Sequence, residues 1–263
     1  MIPDLCVLRG GGDLATGIAW RLTRAGWPVI VCELPEPLAV RRTVALATAV
    51  TDGSVDIEGM VGVRAMDVAE AIEIAGSGSV GVVVSPELPE VGAEVVVDAR
   101  LAKRNIDTAI TDADLVIGVG PGFTAGTDCH AVVESLRGHH LGRVIWSGSA
   151  APDTGRPGAV GGRGAERVVR APTVGIAAWS VAIGDLVDDG ELLGEVGGEE
   201  LRAPFNGIVR GLIRDGQQVE AGIKIGDIDP RVDPAACREI SDKALAIGGG
   251  VMEAVLSWPH RQA

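Results

Sequence analysis

The sequence predicts an α/β protein in which a parallel-sheet domain is followed by a small all-β domain and a C-terminal helical segment. Three observations predict it. An apolar run, Leu5 to Leu8, enters the glycine-rich stretch Arg9 to Gly17 and leads into an amphipathic segment ending near Gly26. Fully apolar runs at Val80 to Val84 and Val95 to Val97, each bounded by a polar residue, read as strands buried on both faces, as parallel strands covered by helices are. Beyond residue 165 the chain repeats itself: Arg170-Ala171-Pro172 recurs 32 positions later as Arg202-Ala203-Pro204. The expected domains are residues 1–165, 166–232 and 233–263.

The opening stretch reads as a strand, a glycine turn and a helix. Gly10, Gly12 and Ala15 fit the dinucleotide-binding fingerprint: one glycine for the tight turn, one to admit a phosphate, and a small residue for close helix–strand packing. N–H groups at the helix start would face an anion, and Asp13 lies in that same turn. A second apolar run, Val29 to Cys32, ends in Glu33, roughly 20 residues on, where an acid that bonds a ribose hydroxyl is expected. The N-terminal domain is therefore expected to be Rossmann-like. The bland alternative is a tight strand-to-helix turn with no ligand.

Pro35-Glu36-Pro37 reads as a turn, continued by a helix to about Ala49. Arg41 and Arg42 on it suit a bidentate grip on phosphate or carboxylate, or else form a solvated face. Val61 to Ala65 is a short strand, Asp67 an N-cap, and the segment to Ile74 a helix. Asp98-Ala99-Arg100, with Lys103 and Arg104, sets an acid and three cations at the end of a buried strand, and Arg100 becomes a candidate anion contact. Leu115 to Val119 then runs into a second glycine loop, in which Gly120 and Gly122 repeat the logic of the first. Cys129 lies in a polar loop beside His130, where an exposed thiol could be activated as a thiolate. Ala131 to Glu134 and Arg143 to Trp146 read as two strands joined by a turn that carries His139 and His140. Adjacent side chains on an extended segment diverge, so no metal site is expected there; His139 is retained as a proton-transfer candidate. The Gly-, Pro- and Ala-rich stretch Gly148 to Gly164 reads as a linker or a loop over the site.

In the repeat, Gly184, Val187, Gly190 and Gly194 recur as Gly216, Val219, Gly222 and Gly226. Two equivalent halves of short strands resemble the barrel-sandwich hybrid of biotinyl and lipoyl carrier domains. Those carriers present a modifiable lysine at the turn between their halves. The matching turn here is Gly197-Gly198-Glu199-Glu200, so a swinging-arm carrier is rejected, and the domain is read as covering, orienting or oligomerising the first one. Ala235 to Ile247 reads as a helix, and Gly248-Gly249-Gly250 either breaks it or permits close packing.

Composition narrows the function. Of 263 residues 46% are hydrophobic, enough for sizeable cores, and the net charge of −13 argues against nucleic-acid or anionic-membrane partners. No run is long enough for a membrane span and no signal layout opens the chain, so a cytoplasmic protein is expected. Cys6, Cys32, Cys129 and Cys237 form no paired motif.

Gly10-Gly11-Gly12-Asp13-Leu14-Ala15-Thr16-Gly17, Pro37 to Arg42, Val97 to Asn105, Gly118 to Phe123, Arg137 to Arg143 and Ala246 to Val251 resemble the YqeB-type accessory proteins of selenium-dependent molybdenum hydroxylases. That family is distantly similar to the XdhC proteins, which hold molybdenum cofactor for sulfuration before insertion. The resemblance implies a maturation factor whose ligand is molybdopterin or its cytosine dinucleotide. Its implied partners are a molybdenum hydroxylase apoprotein and a sulfur or selenium donor. On that reading Arg41, Arg42 and Arg100 grip anionic groups, and Cys129 is a transient sulfur or selenium carrier. The other classes are an NAD(P)-dependent oxidoreductase, with Glu33 favouring NAD, and a non-catalytic nucleotide-sensing module. The chain has no Tyr, which excludes a Tyr-Lys proton-transfer pair.

Overall fold

The computed structural model describes residues 5–155 and 158–262. It divides into two compact units. The larger comprises the chain up to Pro37, Ala45–Asp153 and the stretch from Ile240; the smaller comprises Leu38–Val44 and Thr154–Glu239. The small unit is thus fed by two separate stretches, and the C-terminal helical segment joins the large unit instead of standing apart. Arg156 and Pro157, within the expected linker, lie outside the described residues.

The large unit is built on β1 (Cys6–Arg9), α1 (Asp13–Arg24), β2 (Val29–Glu33), α2 (Thr48–Asp52), β3 (Ser54–Ile57), β4 (Met60–Ala65), α3 (Val68–Gly76), β5 (Val80–Val84), β6 (Val95–Asp98) and β7 (Leu115–Val119). The short strands β8 (Thr124–Ala125), β9 (Ala131–Val133), β10 (Val144–Ile145) and β11 (Gly148–Ser149) follow. After the small unit come α4 (Asp242–Ser257) and α5 (Pro259–Gln262). Nine strands form one mixed sheet in the order β10-β9-β7-β6-β1-β2-β5-β4-β3. Neighbours run parallel from β9 to β4, with β3 and β10 antiparallel at the edges. The central strands carry unbroken apolar runs because both faces are covered: β1, β6 and β7 are buried at every position.

Glycine sets how closely the helices pack. A Cβ at Gly17 would strike the Ala244 main chain, and one at Gly248 would strike that of Gly17, so α1 and α4 meet backbone to backbone. Gly250 has the same relation to Gly142. The three glycines therefore do not end α4. They are helical residues, two of which serve as contact points.

The helix expected to follow the Pro35-Glu36-Pro37 turn and run to about Ala49 is reduced to a 3-10 turn at Arg42–Val44 and the short α2. Two contacts hold the chain open between them. The Thr16 hydroxyl accepts the Leu46 N–H at 3.1 Å, and Gly11 O accepts the Ala47 N–H at 2.8 Å. The hairpin β3–β4 was not anticipated. Its turn, Glu58-Gly59, has φ of 51° and 80°, a pair of left-handed residues that suits a two-residue hairpin loop but begins with an unusual Glu.

The small unit contains β12 (Val168–Arg170), β13 (Gly175–Trp179), β14 (Leu186–Val187), β15 (Leu192–Val196), β16 (Glu199–Arg202), β17 (Gly207–Leu212), β18 (Gln218–Val219) and β19 (Lys224–Asp229). One four-stranded antiparallel sheet has the order β12-β19-β17-β14 and the other β16-β15-β13-β18. The 32-residue offset exchanges β12 with β16, β13 with β17, β14 with β18 and β15 with β19, so it carries one sheet order onto the other. Each half of the repeat therefore lends two strands to each sheet. Leu193, Val196, Val209, Ile225 and Ile228 fill the core between them.

Candidate functional site

The order of the large sheet reverses at β1. From β1 the chain moves to β2 on one side, and after β5 it crosses to β6 on the other. Loops leaving neighbouring strands in opposite directions open a crevice at their carboxyl ends, where ligands of open α/β sheets bind. The loops there are Gly10-Gly11-Gly12 after β1 and the segment from Ala99 after β6.

Gly10 has φ +90° and its N–H donates to Cys32 O at 2.8 Å. The Gly11 N–H donates to Glu33 Oε2 at 2.7 Å, while Glu33 Oε1 accepts the Leu34 N–H at 2.7 Å. Glu33 is thereby fixed against the glycine turn. Gly12 caps α1 with its φ at −66°, and a Cβ built on it meets no atom within 4 Å. Asp13 begins α1, opposite in sign to the helix dipole there, and Ala15 is fully buried one residue into the interior of the first turn.

The remaining candidate glycines make room for protein. Gly10 packs on the Arg100 main chain, Gly120 (φ +79°) on Ser135, and Gly122 (φ +108°) on the Lys103–Arg104 peptide. Asn105 N–H donates to Gly122 O at 3.1 Å. The segment from Arg100 to Arg104 therefore threads between the two glycine loops, with Leu101 (φ 57°) and Lys103 (φ 61°) both left-handed. Such conformations are uncommon for residues with a Cβ and persist where surroundings impose them.

An ion-pair network joins the carboxyl ends of β1 and β6 to Asp107 and Thr108. Arg9, buried at the end of β1, donates to Asp107 Oδ2 at 2.9 Å and Thr108 Oγ1 at 3.1 Å. Thr108 donates to Asp98 Oδ2 at 2.7 Å, and Arg100 reaches Asp98 at 2.5 Å and Asp107 at 2.7 Å. Hydrogen bonds from Arg9, then from Arg100, hold the Asp107 carboxyl down at about 2 against the desolvation that would raise it. Burial alone would lower Arg100, but Asp98 and Asp107 outweigh it and hold the guanidinium above its ordinary value. Arg9, Asp107 and Thr108 were not among the expected site residues. The available signal was Arg9 itself, a charge closing an otherwise apolar strand.

Several expected side chains have other partners. Arg100 is engaged by two carboxylates. Arg41 donates to Ala236 O and Glu239 O, each at 3.0 Å, and Arg42 Nε donates to Leu212 O at 2.7 Å, so both tie Leu38–Val44 into the small unit. Cys129 is a correction: it is fully buried among Val116, Phe123, Ala125 and Val132, and desolvation pushes its thiol up to about 11. A polar sequence neighbourhood concealed a core position. His139 sits in an exposed turn, its ring 5.5 Å from that of His140. Among the described residues no group of three or more His, Cys, Asp or Glu is placed to hold a metal ion, and no helix is long and apolar enough to cross a membrane.

No protein-family model matches the chain. It is 48% identical over 261 residues to a protein named as uncharacterized, YqeB of Escherichia coli strain K12, an alignment covering 98% of this chain and 48% of that one. This chain is similar to YqeB along nearly its whole length. It spans about half the length of that curated relative. Among solved structures, an aspartoacylase family protein from Mesorhizobium loti overlaps 86% of this chain and 84% of its own, at 14% identity and a TM-score of 0.26. A succinylglutamate desuccinylase/aspartoacylase from Rhodobacter sphaeroides overlaps 86% and 85%, at 16% identity and a TM-score of 0.27.

Proposed function

We propose that the large unit is a Rossmann-like domain that binds a ligand carrying a pyrophosphate and a ribose at the carboxyl ends of β1 and β2. The observation that carries this reading is the open space beside Gly12. The other candidate glycines of the two loops are packed against the chain's own backbone or side chains, whereas Gly12 stands clear at the start of a twelve-residue helix. First-turn N–H groups of such a helix favour an anion. Glu33, fixed by two backbone N–H groups, has lone pairs left to accept from ribose hydroxyls and repels a 2′-phosphate.

The resemblance to YqeB-type accessory proteins directs the choice of ligand. We take it to be molybdopterin cytosine dinucleotide or molybdopterin. The protein is then a cytoplasmic factor in maturation of a selenium-dependent molybdenum hydroxylase, meeting the apoprotein and a sulfur or selenium donor. The small unit, as a barrel-sandwich hybrid without a carrier lysine in its central turn, would serve docking or assembly. Cys129 takes no part as a sulfur carrier in this reading, because its thiol is enclosed.

The test is mass spectrometry of small molecules released from protein purified anaerobically from a molybdenum-replete host. A pterin or its cytosine dinucleotide, present in wild type and absent from Gly12→Val, is the expected result. NAD or NADP alone would replace the maturation reading with that of an oxidoreductase. No nucleotide of either kind would remove the site.

A further inference from the structure

The 32-residue offset relates the two sheets of the small unit, yet their outward faces differ. Side chains alternate along a strand, so those that do not enter the shared core point outward. On β12-β19-β17-β14 the outward residues Ile208, Arg210, Asp227 and Asp229 are at most 6% exposed. They are covered from within the unit. The strap Leu38–Val44 runs parallel to the end of β17, with a bridge from Arg41 to Leu212, and the 3-10 turn Pro234–Cys237 sets Cys237 Sγ 3.6 Å from Val209 O. On β16-β15-β13-β18 the equivalent face is open. Ile176, the counterpart of Ile208, is 57% exposed, and Ala178 and Glu195, the counterparts of Arg210 and Asp227, are exposed as well. Val174 beside them is 51% exposed.

The charges of the two faces diverge in the same way. Asp227 is met by Arg167, Lys224 and, at 3.9 Å, Arg210. At the equivalent positions stand Glu199, Leu192 and Ala178. The acid thus has its counterpart in Glu195, and none of its cations has one. Glu195 lies directly across from Glu200 in the β15–β16 register, and among the described residues no ion pair offsets it. Like charges so placed destabilise a sheet.

We propose that this open face is a docking surface for a partner protein, which it takes through an extended segment of apolar side chains flanked by arginine or lysine. Val174 and Ile176 offer the apolar contact, and the partner supplies at Glu195 and Glu200 the cations that the face lacks. The strap over the covered face is itself such a segment, with Val40 and Val44 flanking Arg41 and Arg42. The partner's path differs from the strap's, because Trp179 occupies the position of Gly211, against which Val40 packs. A second copy of the face is the wrong occupant, since it would set acid against acid. The proposal rests on the docking role given to the small unit and names its face and partner chemistry; the ligand of the large unit does not enter it.

An NMR titration of the full chain tests it, with the acetylated and amidated peptide Leu38–Val44 as the probe. We expect saturable shifts of amides in β13, β15 and β16. Affinity should fall about tenfold or more in the double variant Ile176→Ser, Glu195→Gln, and stand unchanged in Gly12→Val, which reports on the large unit's ligand instead. Both altered positions are exposed, so the fold should survive, and Glu195→Gln alone should raise Tm by relieving repulsion from Glu200. The same peptide carrying Arg41→Glu and Arg42→Glu should not bind. Absence of saturable shifts, equal binding of the glutamate peptide, or affinity undiminished in the double variant overturns the proposal. Shifts confined to β17 overturn it too, since they would mean exchange with the strap. Broadening on β13 and β15 that needs no peptide and vanishes on dilution would make the occupant a second copy of this chain, and overturns it likewise.

Discussion

A methyl group added at Gly12 meets no atom within 4 Å, whereas one added at Gly122 comes within 2.5 Å of the Arg104 main chain from a backbone at φ +108°. The two substitutions should therefore separate stability from binding. Gly122→Ala is expected to lose roughly 2 kcal/mol or more, since positive φ and overpacking act together. Gly12→Val should cost only about 1 kcal/mol, as an N-cap change, while abolishing ligand capture. Urea unfolding of both variants checks the first half and ligand release the second. Asp107 offers a test of the charge network through pH. Its carboxyl is held at about 2, below the unfolded value, chiefly by Arg9. The stabilisation is therefore complete above about pH 4 and lost as pH falls through 2. Asp107→Asn should flatten that part of the stability curve and bring it onto the wild-type curve near pH 2. Because the side chain is 45% exposed, the step will be small. Residue type nominated the glycines but not Arg9 or Asp107. It could not say which glycine faces protein and which faces open space, because that depends on a segment, Arg100 to Arg104, arriving from another strand.

The same contrast recurs along α4, where Gly248 and Gly250 are contact points and Gly249 meets nothing within 4 Å. Gly249→Ala should stabilise by up to about 1 kcal/mol through helix propensity. Gly248→Ala should destabilise instead by roughly 1–3 kcal/mol, because the added carbon forces α4 away from α1. Thermal unfolding of the two variants should move in opposite directions, and a rise for both would mean that the α1–α4 approach is looser than described. Elements were readable where local pattern and burial agree: the Val runs became β5 and β6, and Asp67 caps α3, accepting the Glu70 N–H at 2.9 Å. They were unreadable where a distant group decided. Residues 38–44 have helical spacing, but Arg41 is drawn to Ala236 and Glu239 and Arg42 to Leu212, so the chain stays non-helical up to its 3-10 turn. The hairpin at β3 was hidden because Glu58 is left-handed without a turn-forming side chain.

At the scale of the whole molecule, chain order and compact units do not coincide, a consequence the repeat and the linker composition could not disclose. Leu38–Val44 precedes most of the large unit in sequence but belongs to the small one, where Val40 packs on Gly211 and Thr43 donates to Cys237 O. The stretch from Ile240 follows the small unit but supplies α4, seated on α1 in the large one. A cut between Asp153 and Thr154, both exposed, therefore yields two fragments that each own part of both units. The first carries the strap across β17, and the second carries the helix that α1 packs against. A protease site inserted there should give a nicked protein whose fragments co-elute in size-exclusion chromatography and part only in denaturant. Elution as two separate species without denaturant would show that neither the strap nor α4 is held as described. Co-elution further predicts that Gly248→Ala and Arg42→Ala, acting in different units, each make the nicked protein easier to separate than the intact chain is to unfold, because the continuous backbone no longer returns a detached segment to its place.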